Sequence, residues 1–308
     1  SGAGMAYLVS RALGKRDLAH LAVVGAVGDM QDSQGALGSI NSLIVSEAAE
    51  QKLISVEMDL RMFGRQSRSL SQMLAYSSDP IIPGLTGNQS ACAQYIESLG
   101  ISLKKDEGWR SYVDLSDKER ETLISAIYMT LLDAGVSEYM LSSMFGEVYT
   151  LLNEQRGTEL ADAKEYATLL NACGRQRQPD VGVFVCRGDR EDKWRQAQEL
   201  LEGHRRQLRE GLEFLSQNRI VEKKHLSFFD AGDSVDESII GVIAGMAYGA
   251  RIIPYNKPVL AFAQDRDEPS FYKVSARANR QLVRSGIHLG DAMSECSKVF
   301  GGEEAATT

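Results

Sequence analysis

Leu21-Ala22-Val23-Val24-Gly25-Ala26-Val27-Gly28-Asp29-Met30-Gln31-Asp32 is the stretch on which the reading of the chain turns. A short, valine-rich apolar run predicts a buried strand, and its glycines predict a sharp backbone turn. In an open α/β sheet, ligands bind beyond the carboxyl ends of the strands. Asp29 and Asp32 would stand there, where a carboxylate can hold a hard cation such as Mg²⁺ or Mn²⁺. The plainer alternative makes Asp29 a cap for the following turn or helix.

On the N-terminal side, Met5 to Leu13 carries apolar residues at helical spacing and stops at Gly14. The chain opens on Ser1-Gly2-Ala3-Gly4 with neither an initiator methionine nor a strand before Leu21, which reads as truncation at the N-terminus. On the other side, Ser39 to Ala49 predicts a helix, and Leu53 to Leu60 alternates like a strand. The character then changes. Gly64-Arg65-Gln66-Ser67-Arg68 is polar and basic, and Asp79 to Asn88 is a turn-rich loop with two prolines. Helical patterns follow at Gln89–Leu99, Ser116–Leu132 and Ser137–Phe145, the second opened by the capping box Ser116-Asp117-Lys118-Glu119. Residues 62–147 therefore read as a mainly helical insertion.

The α/β pattern resumes with a helix at Ala161–Ala172, a turn at Cys173-Gly174-Arg175 and a buried strand at Val181–Cys186. From Asp192 to Asn218 runs a long helix whose apolar residues fall at helical spacing, with His204, Arg205, Arg206 and Arg209 read as its solvated face. Its length, ~40 Å at 1.5 Å per residue, suits an interdomain bridge. Beyond Ile220 come strands at Leu226–Phe229, Val259–Ala263 and Phe271–Ala276. Helices are expected at Val235–Ala247 and at Gln281–Val299, the latter broken at Gly286 and Gly290.

Composition narrows the function classes. Of 308 residues, 43% are hydrophobic and 25% charged, as in ordinary globular proteins. No apolar run approaches the ~20 residues a membrane span needs, and no signal peptide is visible, so a soluble, cytoplasmic protein is expected. Cys92, Cys173, Cys186 and Cys296 are scattered without a C-x-x-C pair, which argues against a zinc ribbon or a disulfide framework. A net charge of −8 opposes non-specific wrapping of nucleic acid, so any such contact must come from local basic patches.

Several blocks together resemble one family, the archaeal RecJ-like, GINS-associated nucleases of the DHH phosphoesterase superfamily. They are Ser1 to Tyr7, Gly25 to Asp32, Phe63-Gly64-Arg65-Gln66 with Asp79 to Gly87, Thr168 to Arg175, Asp230-Ala231-Gly232-Asp233 and Val274-Ser275-Ala276-Arg277. They run in family order through nearly the whole chain. The resemblance implies an α/β fold: a parallel-sheet DHH domain remnant (1–61 and 148–191), the helical insertion (62–147), a bridging helix (192–219) and a smaller DHH-associated α/β domain (220–308). It implies a two-metal site for Mn²⁺ or Mg²⁺, hydrolysis of single-stranded DNA or RNA from the 5′ end, and a GINS-docking role for the insertion.

Carried onto this chain, the resemblance makes Asp29 a catalytic cation ligand. It makes Ser275 and Arg277 phosphate contacts, and Asn171 and Arg175 members of a signature turn facing the substrate cleft. There are departures. The first three DHH motifs, which supply most cation ligands, would precede Ser1. After Gly301-Gly302 comes Glu303 where the family has a third glycine and a histidine, so the C-terminus also reads as truncated. Gln178-Pro179 replaces an Arg-Pro pair. The expectation is a fragment of a 5′-to-3′ single-strand exonuclease, inactive by itself. The alternatives are a non-catalytic nucleic-acid-binding or replisome scaffold protein and, less favoured, a small-nucleotide phosphodiesterase.

Overall fold

Ser1 caps the first helix, α1 (Gly2–Ala12), its hydroxyl accepting the Gly4 amide at 2.9 Å. The structure, a computed structural model, describes all residues except Ser78, Asp79, Ser137, Arg219, Arg251 and 303–308. Asp79 of the turn-rich loop, Ser137 of the third helical pattern of the insertion and the tail from Glu303 thus lie outside the described residues.

The run from Leu21 is not a strand. It forms α2 (Ala19–Gly28), with Ala19, Ala22, Val23, Val24, Ala26 and Val27 buried. The helix is apolar around its whole circumference because it packs against α1 on one side and further helices on others. A run without periodicity does not distinguish a buried helix from a buried strand. The glycines serve packing rather than turning. A Cβ on Gly25 would stand 2.3 Å from the Ala3 Cβ of α1.

Next come α3 (Ile40–Glu50) and β1 (Ile54–Leu60). The chain then leaves the strand through α4 (Leu70–Ala75), α5 (Gln89–Ser98), α6 (Asp117–Asp133) and α7 (Glu138–Ser143), and returns as β2 (Phe145–Leu151). The capping box of α6 forms as read, with Ser116 and Glu119 each bonding the other's backbone amide. β2 pairs antiparallel with β1 from Ile54↔Leu151 to Leu60↔Phe145, so residues 62–144 depart and re-enter at facing positions. They surround their own core, which includes Leu70, Met73, Leu74, Ile96, Tyr112, Leu123 and Ile127.

The chain continues into α8 (Ala163–Arg175), α9 (Pro179–Cys186) and α10 (Asp192–Gln217). Two expectations fail here. Cys173-Gly174-Arg175 is the last turn of α8 rather than a loop. Val181 to Cys186 is helical: Val181 and Val185 are fully buried while Val183 is 56% exposed, an i, i+4 pattern instead of alternation. Pro179 at the first turn starts that helix. Among the described residues of Ser1–Leu201, one of two compact units, the only sheet is therefore the antiparallel pair β1–β2, not a parallel remnant.

The second unit begins at Glu202, within α10, and adds β3 (Val221–Glu222), β4 (Ser227–Asp230), α11 (Ile240–Gly249), β5 (Val259–Gln264), β6 (Tyr272–Arg277), α12 (Arg280–Arg284) and α13 (Leu289–Phe300). The sheet order is β3-β4-β5-β6, with β4 and β5 parallel and both outer pairs antiparallel. Its core joins Phe229, Ile240, Ile243, Ala244, Val259 and Ala261 to Leu215 of α10. Helix α10 also gives Ala197 and Leu201 to the core of the first unit. The protein is mixed α/β, built from helices and small sheets.

Candidate functional site

Asp29 follows α2 as its C-cap residue, its amide donating to the Gly25 carbonyl at 3.1 Å. It stands at a helix end rather than a strand end, and its side chain is exposed. The carboxyl end of a helix carries partial negative charge, so a carboxylate there is a local cost that a cation would offset. Asp32 is in a different state. It is buried, and Arg61 donates to both its carboxylate and its carbonyl, the latter at 2.7 Å. Asp32 is thus committed to an internal ion pair and is withdrawn from the metal reading.

Asn171 lies beside the same helix end. The position a Gly28 Cβ would take is 3.1 Å from the Ala167 Cβ and 4.0 Å from the Asn171 Nδ2, so small residues let α2 and α8 approach closely. Ala167, Asn171 and Arg175 recur every fourth residue and share one ridge of α8. The structure therefore brings Asn171 beside Gly28, the residue before Asp29, with Arg175 one turn further along α8.

Ser275 and Arg277 belong to the second unit and project from the same face of β6. Both meet α11 at Gly241, where an added Cβ would stand 2.5 Å from the Ser275 Oγ and from the Arg277 Nη2. Arg277 Nε donates to the Gly241 carbonyl at 2.9 Å and Nη1 to the Ala276 carbonyl at 3.0 Å. The guanidinium is held by backbone before any ligand arrives.

A two-metal centre needs several oxygen or nitrogen ligands around a pair of ions. Among the described residues, no three of His, Cys, Asp and Glu gather closely enough to hold a metal ion. Asp29 alone does not fit such a centre, and no catalytic step is derived through it.

The strongest electrostatics lie elsewhere, where residues 62–144 join the rest of the first unit. Asp59, near the end of β1, accepts from the Tyr112 hydroxyl at 2.6 Å and from Arg65. Arg65 stacks over the Tyr112 ring at 4.9 Å, and its other terminal nitrogen is 3.8 Å from Asp162. Asp162 caps α8 through the amides of Lys164 (2.9 Å) and Glu165 (3.1 Å). The Glu165 carboxylate accepts from the Gln66 amide at 2.8 Å, the Ser67 amide at 3.2 Å and the Ser67 hydroxyl. Burial pushes the Tyr112 hydroxyl up, with the Asp59 hydrogen bond adding to it. In the sequence, Gly64 to Arg68 is a polar, basic stretch and Phe63 to Gln66 a block of the family resemblance, with nothing in either to show what Arg65, Gln66 and Ser67 pair with. The available clue was Asp162-Ala163-Lys164-Glu165, two carboxylates at capping spacing before an apolar helix.

Residues 62–145 match the family described as the DHH-CID domain. Over 305 residues the chain is 28% identical to an uncharacterised protein of Methanocaldococcus jannaschii, which covers 98% of this chain and 60% of that protein. The structure is similar to CDC45 from Entamoeba histolytica, with a TM-score of 0.58 and 13% identity over 96% of this chain and 64% of that one. The chain thus contains a segment similar to the DHH-CID domain, and its fold is similar to that of CDC45. It spans about 60% of the length of the curated relative it matches. The bounds of the DHH-CID match fall beside Leu60 and Phe145, the pair at which β1 and β2 release and recover the chain. Its neck, Met62 to Ser67, is pinned to α8 by the buried ionic cluster. Among the described residues, no helix is long and apolar enough to cross a membrane.

Proposed function

We propose that this chain is part of a metal-dependent, 5′-to-3′ single-strand exonuclease of the DHH superfamily acting in DNA replication and repair, and that these 308 residues alone bind a strand without cleaving it. The observation that carries the reading is the Ser275–Arg277 pair, a hydroxyl and a guanidinium preset on one face of β6. A planar guanidinium edge suits bidentate contact with a phosphate. Asp29, with Asn171 and Arg175 of α8, contributes one ligand and two polar groups to a Mn²⁺ or Mg²⁺ centre whose remaining ligands must come from elsewhere. The division into 1–61 with 148–191, 62–147, 192–219 and 220–308 belongs to this proposal, as do binding of GINS through the inserted segment and a cytoplasmic location.

A non-catalytic nucleic-acid-binding or replisome scaffold is the second reading. It is favoured by the absence, among the described residues, of a group of three metal-binding side chains around Asp29, since one carboxylate does not hold two ions. Both readings expect the purified chain to retain a 5′-labelled single strand in a gel-shift assay and leave it intact in Mn²⁺. Robust manganese-dependent degradation by the 308 residues would overturn both. The protein encoded by the whole gene separates them, because only the exonuclease reading expects it to shorten the strand.

A further inference from the structure

The inserted segment holds a cleft that the preceding proposal does not use. Its volume is about 390 Å³, within the range of small-ligand pockets, and most of its lining residues are polar. Ser69 and Ser71 line it beside Ser67 and Ser111, whose hydroxyls donate to Glu165 and Asp114, and Arg68 and Lys105 bring positive charge. The one large apolar surface is the indole of Trp109, 58% exposed at the rim.

These groups are placed by the fold. Gly64 adopts φ +91°, and the stem of Arg68 lies so close over it that an added Cβ would meet the Arg68 Cδ at 2.5 Å. The Arg68 guanidinium stacks on the rings of Phe63 (4.6 Å) and Tyr76 (5.2 Å), which fixes its plane. Lys105 lies 2.9 Å from the Asp114 carboxylate, whose charge is further shared by the Ser111 amide and hydroxyl. Lys104 sits 5.4 Å from the centroid of the Trp109 ring and does not line the cleft, so the cleft meets the ring away from that lysine.

A ligand complementary to this lining has one flat apolar ring, several hydrogen-bonding atoms and a negative group. We propose that the cleft binds a nucleotide, its base stacked on Trp109 and its phosphate between Arg68 and Lys105. An apolar peptide finds a single large apolar side chain here, and a neutral sugar brings no charge to complement Arg68 and Lys105. The nucleotide comes either free in solution or as the phosphorylated end of a single strand. The site is independent of Asp29 and of Arg277, so it stands or falls apart from the nuclease reading.

The test is calorimetric titration with deoxyadenosine 5′-monophosphate, deoxyadenosine, inorganic phosphate and a short 5′-phosphorylated oligonucleotide, read alongside tryptophan emission. Saturable binding of the monophosphate with quenching is expected, and it should be lost on Trp109→Ala while Trp194 still emits. Base stacking on an aromatic ring implies about a five-fold to a hundred-fold weakening for Trp109→Ala. Loss of a charge-assisted contact implies roughly ten-fold or more for Lys105→Ala and for deoxyadenosine. Unchanged thermal melts confirm that both variants fold. Quenching by the oligonucleotide but not the free monophosphate, with the same dependence on Trp109 and Lys105, supports the site and assigns it to strand ends. Equal binding of deoxyadenosine and its monophosphate, undiminished binding by Trp109→Ala, or no saturation by either the monophosphate or the 5′-phosphorylated oligonucleotide overturns the proposal.

Discussion

Burial, reinforced by the neighbouring Asp162 charge, pushes the Glu165 carboxyl up to about 7, against the three hydrogen bonds from Ser67 and Gln66. The folded protein therefore keeps a proton that the unfolded chain releases near 4.5, the ordinary value. Stability from this group is full at acid pH and is lost as pH rises towards and through 7. Burial pushes the Asp162 carboxyl up as well, and the Arg65 and Lys164 charges beside it oppose that rise without reversing it. Between about pH 5 and about pH 8, thermal stability of the wild type should fall relative to Glu165→Gln, at most by about 1.4 kcal/mol per unit. A wild type that gains on the variant over that window would sink the assignment. Gly241 offers a second test at this scale. Gly241→Ala places a Cβ against both Ser275 and Arg277, so it should displace the guanidinium and reduce strand binding as much as Arg277→Ala does. Arg277→Ala should also lower the salt dependence of binding by about one counterion. Because Arg277 bonds to the Gly241 carbonyl, that variant should cost about 1 kcal/mol of stability as well. Unchanged affinity and salt slope in both variants would remove the pair from the strand site. The alternation of Phe271 to Arg277 made the shared face of Ser275 and Arg277 legible in the sequence. The burial of Glu165 was not legible, because its partners Gln66 and Ser67 lie about a hundred residues away.

At the scale of elements, the strands β1 and β6 were readable because alternation has a period of two, and β5 as a short, continuous apolar run. Helix α6 was readable from its capping box. Helices α2 and α9 were not, since valine-rich runs with glycine carry the composition of strands while their burial comes from neighbouring helices. For α9 a usable signal was present in Pro179-Asp180, a proline and an acid in a first turn. The reading of α2 as a packed helix has a direct test in Gly25→Ala. In an exposed helix that change would stabilise by about 1 kcal/mol. Here the new methyl meets Ala3 of α1, and overpacking costs about 1–3 kcal/mol, so a net loss is expected. Adding Ala3→Gly should restore part of that loss, and the coupling is measurable as a double-mutant cycle by denaturant unfolding. A stabilised single variant, or strict additivity, would refute the close contact of α1 and α2. A smaller effect belongs to α6, where Ser116→Ala should cost about 1 kcal/mol by removing the cap.

At the scale of the whole chain, the decisive feature is that two cores of the first unit share no buried residue. The core around α2 and α8 draws on residues up to Ile54 and from Tyr149 onward, whereas residues 62–144 supply nearly all of the other. Leu60 and Phe145 face each other, and Arg61 donates to the Met144 carbonyl at 2.7 Å, so the excursion begins and ends as a hairpin does. Such proximity of entry and exit is what lets a domain be inserted or removed. Replacing residues 62–143 by Asn-Gly, a tight hairpin turn, should then leave β1 and β2 paired and the rest of the chain folded. The excision also uncovers Glu165 and takes away Gln66 and Ser67, which lie over its carboxylate. Solvation should return that group towards its ordinary range, so the decline of stability between about pH 5 and about pH 8 should disappear. Asp59 loses Arg65 and Tyr112 at the same time, but it passes into water rather than remaining as a buried unpaired charge, which limits the cost. The measurement is a cooperative melt of the shortened protein across that pH range, compared with the intact chain and with Glu165→Gln. Absence of a cooperative transition would show that the cores depend on each other. A pH slope equal to that of the intact chain would show that something other than the inserted segment buries Glu165.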